Sequence, residues 1–455
     1  LPEEILYNST NLKAPAVSFR KALLKGLAPD GGLYMPSYLP KLQPTELESL
    51  PGKSYADLAS EILNKLIGRE IDKEKLSEIC NAIYKFSIPI ELVSERSYIM
   101  RLDQGPTASF KDFAALLMGR LMQHYLSIDS KHITILTATS GDTGSAVANA
   151  FYNLNNIRVI ILFPAGEVTD LQRRQMTTIN ENIQVIEIDG KFDDCQWLVK
   201  QAFMDPSLSG VNLSSANSIN IGRLLPQSVY YFYAWSQVSG KIGSQAVFSV
   251  PSGNFGNLAG GLIAKRMGLP VKSFVISTNE NNEVPLFFET GEYRPLSPSR
   301  KCISSAMNVG HPSNLARIIA MYGGNMNEKG EIRETPDINL MKRELYAVSI
   351  SDIETRNTVE SFHSQYGMVL EPHGAVAWSG LQHYLNDHPP SPDDNRFCIC
   401  LETAHPGKFR EEIRSILNIE TVLPGSLDKI ETGNEDYISL ENNYDILKEF
   451  IIKNY

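Results

Sequence analysis

The feature that most constrains this chain is an alternation of short apolar runs with helical segments. From His132 onward, Ile133–Leu136, Arg158–Phe163, Ile183–Ile188, Ala246–Val250, Val271–Ile276 and Phe397–Leu401 read as strands. Between them, Thr143–Tyr152, Leu171–Thr178, Asp194–Met204 and Arg223–Trp235 read as helices. Strands separated by about ten or more helical residues pair through crossovers, which argues for parallel sheets. The expected class is α/β.

Other stretches break that rhythm. The first ninety-five residues open with Pro29-Asp30-Gly31-Gly32, Pro36, Pro40 and Pro51, then turn helical over Tyr55–Leu66 and Glu74–Tyr84. In the second of these, Leu76, Ile79, Cys80 and Ile83 fall at amphipathic spacing. This region reads as an N-terminal extension. Pro206–Gly222 carries no charge but holds five serines and three asparagines, so it reads either as a linker or as a polar segment serving a site. Asn279–Glu334, rich in Asn, Glu, Pro and Gly, reads as a long surface excursion.

Charge and cysteine content exclude several function classes. The chain has 42 basic and 52 acidic residues, a net charge of −10, and no clustered Lys/Arg face of the kind nucleic acid requires. The 455 residues allow two to four domains. Cys80, Cys195, Cys302, Cys398 and Cys400 lack metal-ligand spacing and suit a reducing, cytoplasmic setting, with Cys398 and Cys400 as buried neutral thiols. The first thirty residues carry charges throughout and show no secretory pattern. Ile242–Ala264 is free of charge, yet Pro251, Asn254, Asn257 and several glycines are incompatible with a membrane span. No metal site is expected.

Three segments carry chemistry. Strand Ala246–Val250 runs into Pro251–Gly261, a glycine-rich turn that aims N–H groups and a helix N-terminus at one point. The spacing matches neither GxGxxG nor GxxxxGK[ST], and a tight turn with glycines for helix packing would look the same. A second strand-to-helix junction, Thr137–Ala146, offers hydroxyls and N–H groups to an anion such as a carboxylate, although Asp142 or Thr143 could equally serve as a helix cap. The third is Lys111, set among Phe110, Phe113, Leu116, Leu117 and Met118. Burial lowers a lysine's pKa, and only the neutral amine attacks an aldehyde. The alternative is a surface lysine paired with Asp112.

Taken together, Gly105-Pro-Thr-Ala-Ser-Phe-Lys-Asp-Phe-Ala114, Thr139-Ser-Gly-Asp-Thr-Gly144, Ser252-Gly-Asn-Phe-Gly-Asn257 and Thr403-Ala-His-Pro-Gly-Lys-Phe409 resemble the threonine synthase family. Further matches are Gly26–Tyr34, Asn217–Arg223, Ala306–Asn314 and Glu371-Pro-His-Gly-Ala375, in the family's order from Tyr7 to Phe409. The resemblance implies a fold type II pyridoxal-phosphate enzyme, similar to tryptophan synthase β. Its two open α/β domains would have mostly parallel sheets: a larger one from 96–130 and 223–455, a smaller one from 131–222, and the extension 1–95 before them.

The resemblance also implies roles. Lys111 would hold the cofactor covalently and then act as the mobile acid and base. Gly253, Asn254, Phe255, Gly256 and Asn257 would cradle the cofactor phosphate. Thr403 would face the pyridine nitrogen, where a hydroxyl in place of a carboxylate leaves the ring less protonated. Thr139, Ser140, Gly141, Asp142 and Thr143 would hold the substrate carboxylate, with Asp142 also at the cofactor. Arg223 and Lys408 would meet the leaving phosphate, supported by Asn217, Ser218 and Asn220.

The implied reaction turns O-phospho-L-homoserine and water into L-threonine and phosphate, carried out by a cytoplasmic monomer or homodimer. A related phospho-lyase would instead give 2-oxobutyrate, ammonia and phosphate, and a non-catalytic phosphate- or nucleotide-binding module would use the glycine loops alone. Departures from the family pattern are Asn11 where an arginine is frequent, Gly374 for a common threonine and Gly407 for a common alanine. The Asn11 change bears on substrate choice. His311, His373 and His405 are expected to make structural hydrogen bonds.

Overall fold

The computed structural model describes residues 4–238, 244–391, 394–428, 430 and 432–454. The beginning of the charge-free stretch Ile242–Ala264 lies outside them. Among the described residues, no helix is long and apolar enough to cross a membrane. All five cysteines are free and buried.

Two sheets form the frame. The larger has the strand order Leu345–Ser349, Val271–Thr278, Ala246–Pro251, Phe397–Glu402, Ser97–Arg101 and Ile90–Ser94. Its pairs are parallel except the last, which is an antiparallel hairpin at one edge. The smaller has the order Ile438–Glu441, Ile183–Asp189, Ile157–Pro164, Ile133–Ala138 and Leu213–Ser214, all parallel. Every residue of Ala246–Pro251, Phe397–Glu402 and Ile133–Ala138 is buried. Helices on both faces of a parallel sheet require this, which is why these strands read as continuous apolar runs.

The structure corrects four expectations. The helix expected over Arg223–Trp235 is split into Ile221–Leu224, a 3₁₀ turn Leu225–Ser228 and Val229–Val238. Pro226 lacks the N–H that a continuous helix would use there. Asn279–Glu334 is more than a surface excursion, since it contains helices Glu283–Thr290 and Leu315–Met321 and a small hairpin of Asn325–Met326 with Ile332–Glu334. Ile90–Ser94, expected in the extension, pairs with Ser97–Arg101 in the larger sheet. The end of 223–455 leaves the larger sheet: Ile438–Glu441 pairs with Ile183–Asp189, and Leu447 and Ile451 of the last helix pack with Cys195 and Leu198.

The N-terminal extension is packed onto the frame through aromatic residues. Tyr55 meets Phe113 edge-on with centroids 5.2 Å apart, Phe86 meets Phe113 at 5.1 Å, and Phe113 meets Tyr230 at 5.6 Å. The Tyr84 hydroxyl donates to the Phe113 carbonyl at 2.7 Å. Phe113 lies in the first turn of helix Lys111–Asp129, so the extension fixes the helix that begins with Lys111. Phe113→Ala should cost about 3–5 kcal/mol by opening a cavity in this cluster. The check is urea denaturation beside Leu92→Ala, an exposed control expected to change stability by less than about 0.5 kcal/mol.

Candidate active site

Strand order determines which loops meet. Ser97–Arg101, Phe397–Glu402 and Ala246–Pro251 are parallel neighbours, so the chain leaves all three at the same edge of the larger sheet. The loops that follow are 102–110, ending at Lys111, then 403–409, and 252–255. Carboxyl ends of parallel strands are where such sheets bind ligands. The lysine loop is stitched to the 403 loop by Phe110 N–H to the Thr403 carbonyl at 2.9 Å and His405 N–H to the Ala108 carbonyl at 3.1 Å.

The smaller sheet contributes the loop after Ile133–Ala138. Thr139 Oγ1 accepts from the N–H groups of Gly141 at 3.0 Å and Gly144 at 2.8 Å, so this hydroxyl shapes the turn. Gly141 has φ +132°, and a Cβ there would come within 2.4 Å of the Gln172 side chain. Only glycine lets Gln172 reach over the loop and donate to Asp142 Oδ1 at 3.1 Å. Ser140 is exposed and Thr143 half-buried, and both stand at the start of helix Asp142–Phe151.

Asp142 joins the two sheets. Its Oδ1 lies 2.7 Å from Lys408 Nζ and its Oδ2 3.8 Å from Lys111 Nζ. Lys408 also donates to the Thr107 carbonyl at 3.0 Å. Burial alone would raise the Asp142 carboxyl, but the two lysines, Lys408 foremost, hold it well below the usual carboxylate range. Only 16% of the Lys111 side chain is exposed, and its ammonium lies 4.8 Å above the Phe110 ring. Burial lowers the Lys111 pKa, Asp142 opposes the shift, and the charges of Lys408 and Arg223 add to it. The alternative partner, Asp112, accepts instead from Thr107 N–H at 2.8 Å and Thr107 Oγ1 at 2.6 Å. Burial pushes the Asp112 carboxyl up to about 6.

The glycine loop caps helix Gly256–Arg266, with Phe255 in the left-handed region at φ +61°. The N–H groups of a helix's first turn have no intrahelical acceptor and point toward its positive end. Asn257 Oδ1 accepts from the hydroxyls of Tyr230 and Tyr231, while its buried Nδ2 has no partner among the described residues. A buried amide donor beside free N–H groups suits a bound phosphate. Asn254 is held through its carbonyl, which accepts from Asn314 Nδ2 at 3.0 Å.

The remaining expected residues fall into two groups. Arg223 is buried, with Nη1 on the Ala216 carbonyl at 2.7 Å and Nε without a partner among the described residues, and burial pushes it down to about 10. It remains a cation with donor capacity to spare. Asn220, by contrast, is used up structurally: its amide donates to the Leu23 and Ser215 carbonyls at 2.9 Å each, and its Oδ1 caps Gly222 N–H. Asn217 Oδ1 accepts from the Thr137 hydroxyl, and the Ser218 carbonyl accepts from Arg317 at 3.1 Å. Asn11 donates to the Asp30 carbonyl at 2.9 Å and to Glu328 at 3.2 Å, a structural tie within the extension and from it to the hairpin around 325–334. His311 bonds Tyr293, and His405 accepts from Gly407 N–H.

The sequence reading missed Arg317 and Gln172. Arg317 is fully buried and clamps the Tyr34, Ser218 and Ile219 carbonyls and Asn314 Oδ1, tying the extension to the loops around Asn254. Burial pushes it down to about 9, and no carboxylate pairs with it among the described residues. An unpaired arginine in a segment read as an excursion gave no local signal. Lys408→Met should destabilise the protein by about 3 kcal/mol, because Asp142 would stay buried with only the more distant Lys111 as a cation. Urea denaturation of this variant and of Lys408→Met/Asp142→Asn checks it: the double variant should be the more stable of the two.

Comparison with known proteins matches this arrangement. A family model described as "Threonine synthase N terminus" covers residues 6–84, "Pyridoxal-phosphate dependent enzyme" covers 87–399, and "Threonine synthase, C-terminal" covers 375–451. The chain is 40% identical to threonine synthase of Haemophilus influenzae, over 98% of this chain and 100% of that protein. It is also 40% identical to the Escherichia coli protein over 90% of this chain and 91% of that one. Among solved structures, Escherichia coli threonine synthase aligns with a TM-score of 0.88 and 36% identity over 99% of this chain and 100% of that one. Threonine synthase from Brucella melitensis with pyridoxal phosphate bound aligns with a TM-score of 0.90 and 33% identity over 98% of each chain. With three family models together spanning residues 6–451, the last two overlapping over 375–399, and this fold shared throughout, the chain belongs to the threonine synthase family of pyridoxal-phosphate-dependent enzymes.

Proposed function

We propose that this chain converts O-phospho-L-homoserine and water into L-threonine and phosphate, with its residues in the following roles. The observation that carries the reading is the position of Lys111. It is a mostly buried amine biased toward its neutral form, on a loop that leaves the same sheet edge as the phosphate-type glycine loop. Pyridoxal phosphate, when bound, supplies the electron sink that lets protons leave carbons near the substrate nitrogen. The N–H groups of Gly253–Asn257 and the Asn257 amide would hold its phosphate, Thr403 would face its ring nitrogen, and Lys111 would be its attachment point.

The substrate carboxylate rests on Ser140, Gly141 and Thr143. Asp142 lies between the two lysines, securing Lys408 at 2.7 Å and only partly offsetting the neutral bias of Lys111 at 3.8 Å. As a free amine, Lys111 Nζ would be a base able to take the Cα proton and to return protons afterwards. Lys408, anchored by Asp142 and the Thr107 carbonyl, keeps one N–H for the leaving phosphate, and Arg223 adds its unpartnered Nε. Overall the Cγ–O bond breaks, a Cβ–O bond forms from water, and Cγ ends as a methyl group. In this reading the site lies between a larger and a smaller α/β unit, and the enzyme acts in the cytoplasm as a monomer or homodimer, without nucleic acid or membrane.

Incubation with O-phospho-L-homoserine should release threonine and phosphate in equal amounts. Release of 2-oxobutyrate and ammonia in place of threonine would contradict the proposal. Lys111→Ala should lose the visible absorbance of the lysine-bound cofactor and at least about 10³-fold of turnover. A retained band would move the attachment point elsewhere.

A further inference from the structure

Helix Gly256–Arg266 begins behind a residue held against its preference. Phe255, its cap, is buried and sits at φ +61°, in the left-handed region that a bulky side chain rarely adopts. Such a conformation persists where the surroundings fix the adjoining peptide planes. The plane before Phe255 is fixed at its carbonyl, since Asn254 O accepts from Asn314 Nδ2 at 3.0 Å and from Asn314 N–H at 3.3 Å. The Asn254 side chain is held as well, its Oδ1 accepting from Ser313 Oγ at 3.2 Å. The Asn254–Phe255 peptide is trans, so its C=O and N–H point in opposite directions. Pinning the carbonyl therefore turns the Phe255 N–H away from Asn314, and that N–H has no acceptor among the described residues.

Asn314 is fully buried, and its amide is oriented by groups that can play only one part. Its Oδ1 accepts from Arg317 Nη1 at 2.6 Å, and a guanidinium only donates. Nδ2 is thereby left facing two carbonyls, which only accept: Asn254 and, at 3.3 Å, Ser218. The reversed amide would set donor against donor and oxygen against oxygen. Arg317 is itself locked, because Nη2 donates to the Tyr34 and Ile219 carbonyls at 3.1 and 2.7 Å and Nη1 also to Ser218 at 3.1 Å. The guanidinium fixes the amide, the amide fixes the carbonyl, and the carbonyl aims the N–H.

We propose that Asn314, oriented by Arg317, is a positioning residue for the cofactor phosphate, pinning the Asn254 carbonyl so that the Phe255 N–H is already aimed into the cradle. This rests on the reading that residues 253–257 hold that phosphate. A donor fixed before binding loses little freedom on binding, and a hydrogen bond to a charged oxygen is among the stronger ones. The side-chain hydrogen bonds of Asn314 go to Asn254, Ser218 and Arg317, with none to the loops of Lys111 and Thr403 among the described residues. Its effect is therefore confined to the phosphate end of the cofactor.

The test compares pyridoxal phosphate with pyridoxal, which lacks the phosphate. Each is titrated into cofactor-stripped enzyme in phosphate-free buffer and followed by the visible absorbance of the bound form. Wild type should bind the phosphorylated form far more tightly. Asn314→Ala should weaken pyridoxal phosphate about tenfold and leave pyridoxal within about twofold. A variant that keeps the full preference for the phosphate, or that weakens both ligands equally as a merely structural loss would, overturns the proposal. A wild type without the preference defeats the cradle reading, and the proposal with it. Asn314→Ser keeps an oxygen for Arg317 but is too short to reach the Asn254 carbonyl, and it carries the same comparison if urea denaturation shows the alanine variant unfolded. Both substitutions are neutral, so no change of charge enters the comparison.

Discussion

One buried carboxylate holds the site together. Asp142 stands on the smaller sheet's first helix, Lys111 begins a helix after one strand of the larger sheet, and Lys408 lies in the loop after another. An anion between two lysine side chains fixes three chain segments that are far apart in sequence. Neither lysine could be buried at this density of positive charge without it. The same contact divides the labour between the lysines. The one at 2.7 Å is secured as a cation, and the one at 3.8 Å is left in an environment that favours the free amine.

The overall charge of −10 conceals this local surplus. Among the described residues, Arg223 and Arg317 are buried without a carboxylate partner; Arg317 is satisfied mainly by backbone carbonyls, and Arg223 has one, from Ala216. In the proposed reading a substrate phosphate provides counter-charge for Arg223, whereas Arg317, with its nitrogens on protein acceptors, is a structural clamp. The extension contributes by holding the Lys111 helix through Phe113 and the Arg317 clamp through Tyr34.

Much of this was legible in the sequence, for identifiable reasons. Strands buried on both faces read as apolar runs, and the two strand-to-helix loops announced themselves through Gly, Ser and Thr. The observed strands run one or two residues further, to Ala138, Pro251, Thr278 and Glu402, because backbone pairing continues into the residues that feed the site. Ile438–Glu441 escaped notice because it is short and only half-buried, with no apolar run. Asn314 read as part of a motif, but its link to Asn254 is a tertiary contact that no local pattern encodes. Asn220 carried the right chemistry for substrate and is spent on Leu23 and Ser215 instead. Pairing Asp142 with Lys408 likewise required the two sheets to be in place.

The central claim is that two neighbouring buried lysines have different jobs, with Lys111 carrying the cofactor and Lys408 remaining a charged anchor. Borohydride reduction of the loaded enzyme, followed by peptide mass spectrometry, tests it most directly. The pyridoxyl group should be found on the peptide containing Lys111 and absent from the peptide containing Lys408. A label on Lys408 would contradict the assignment.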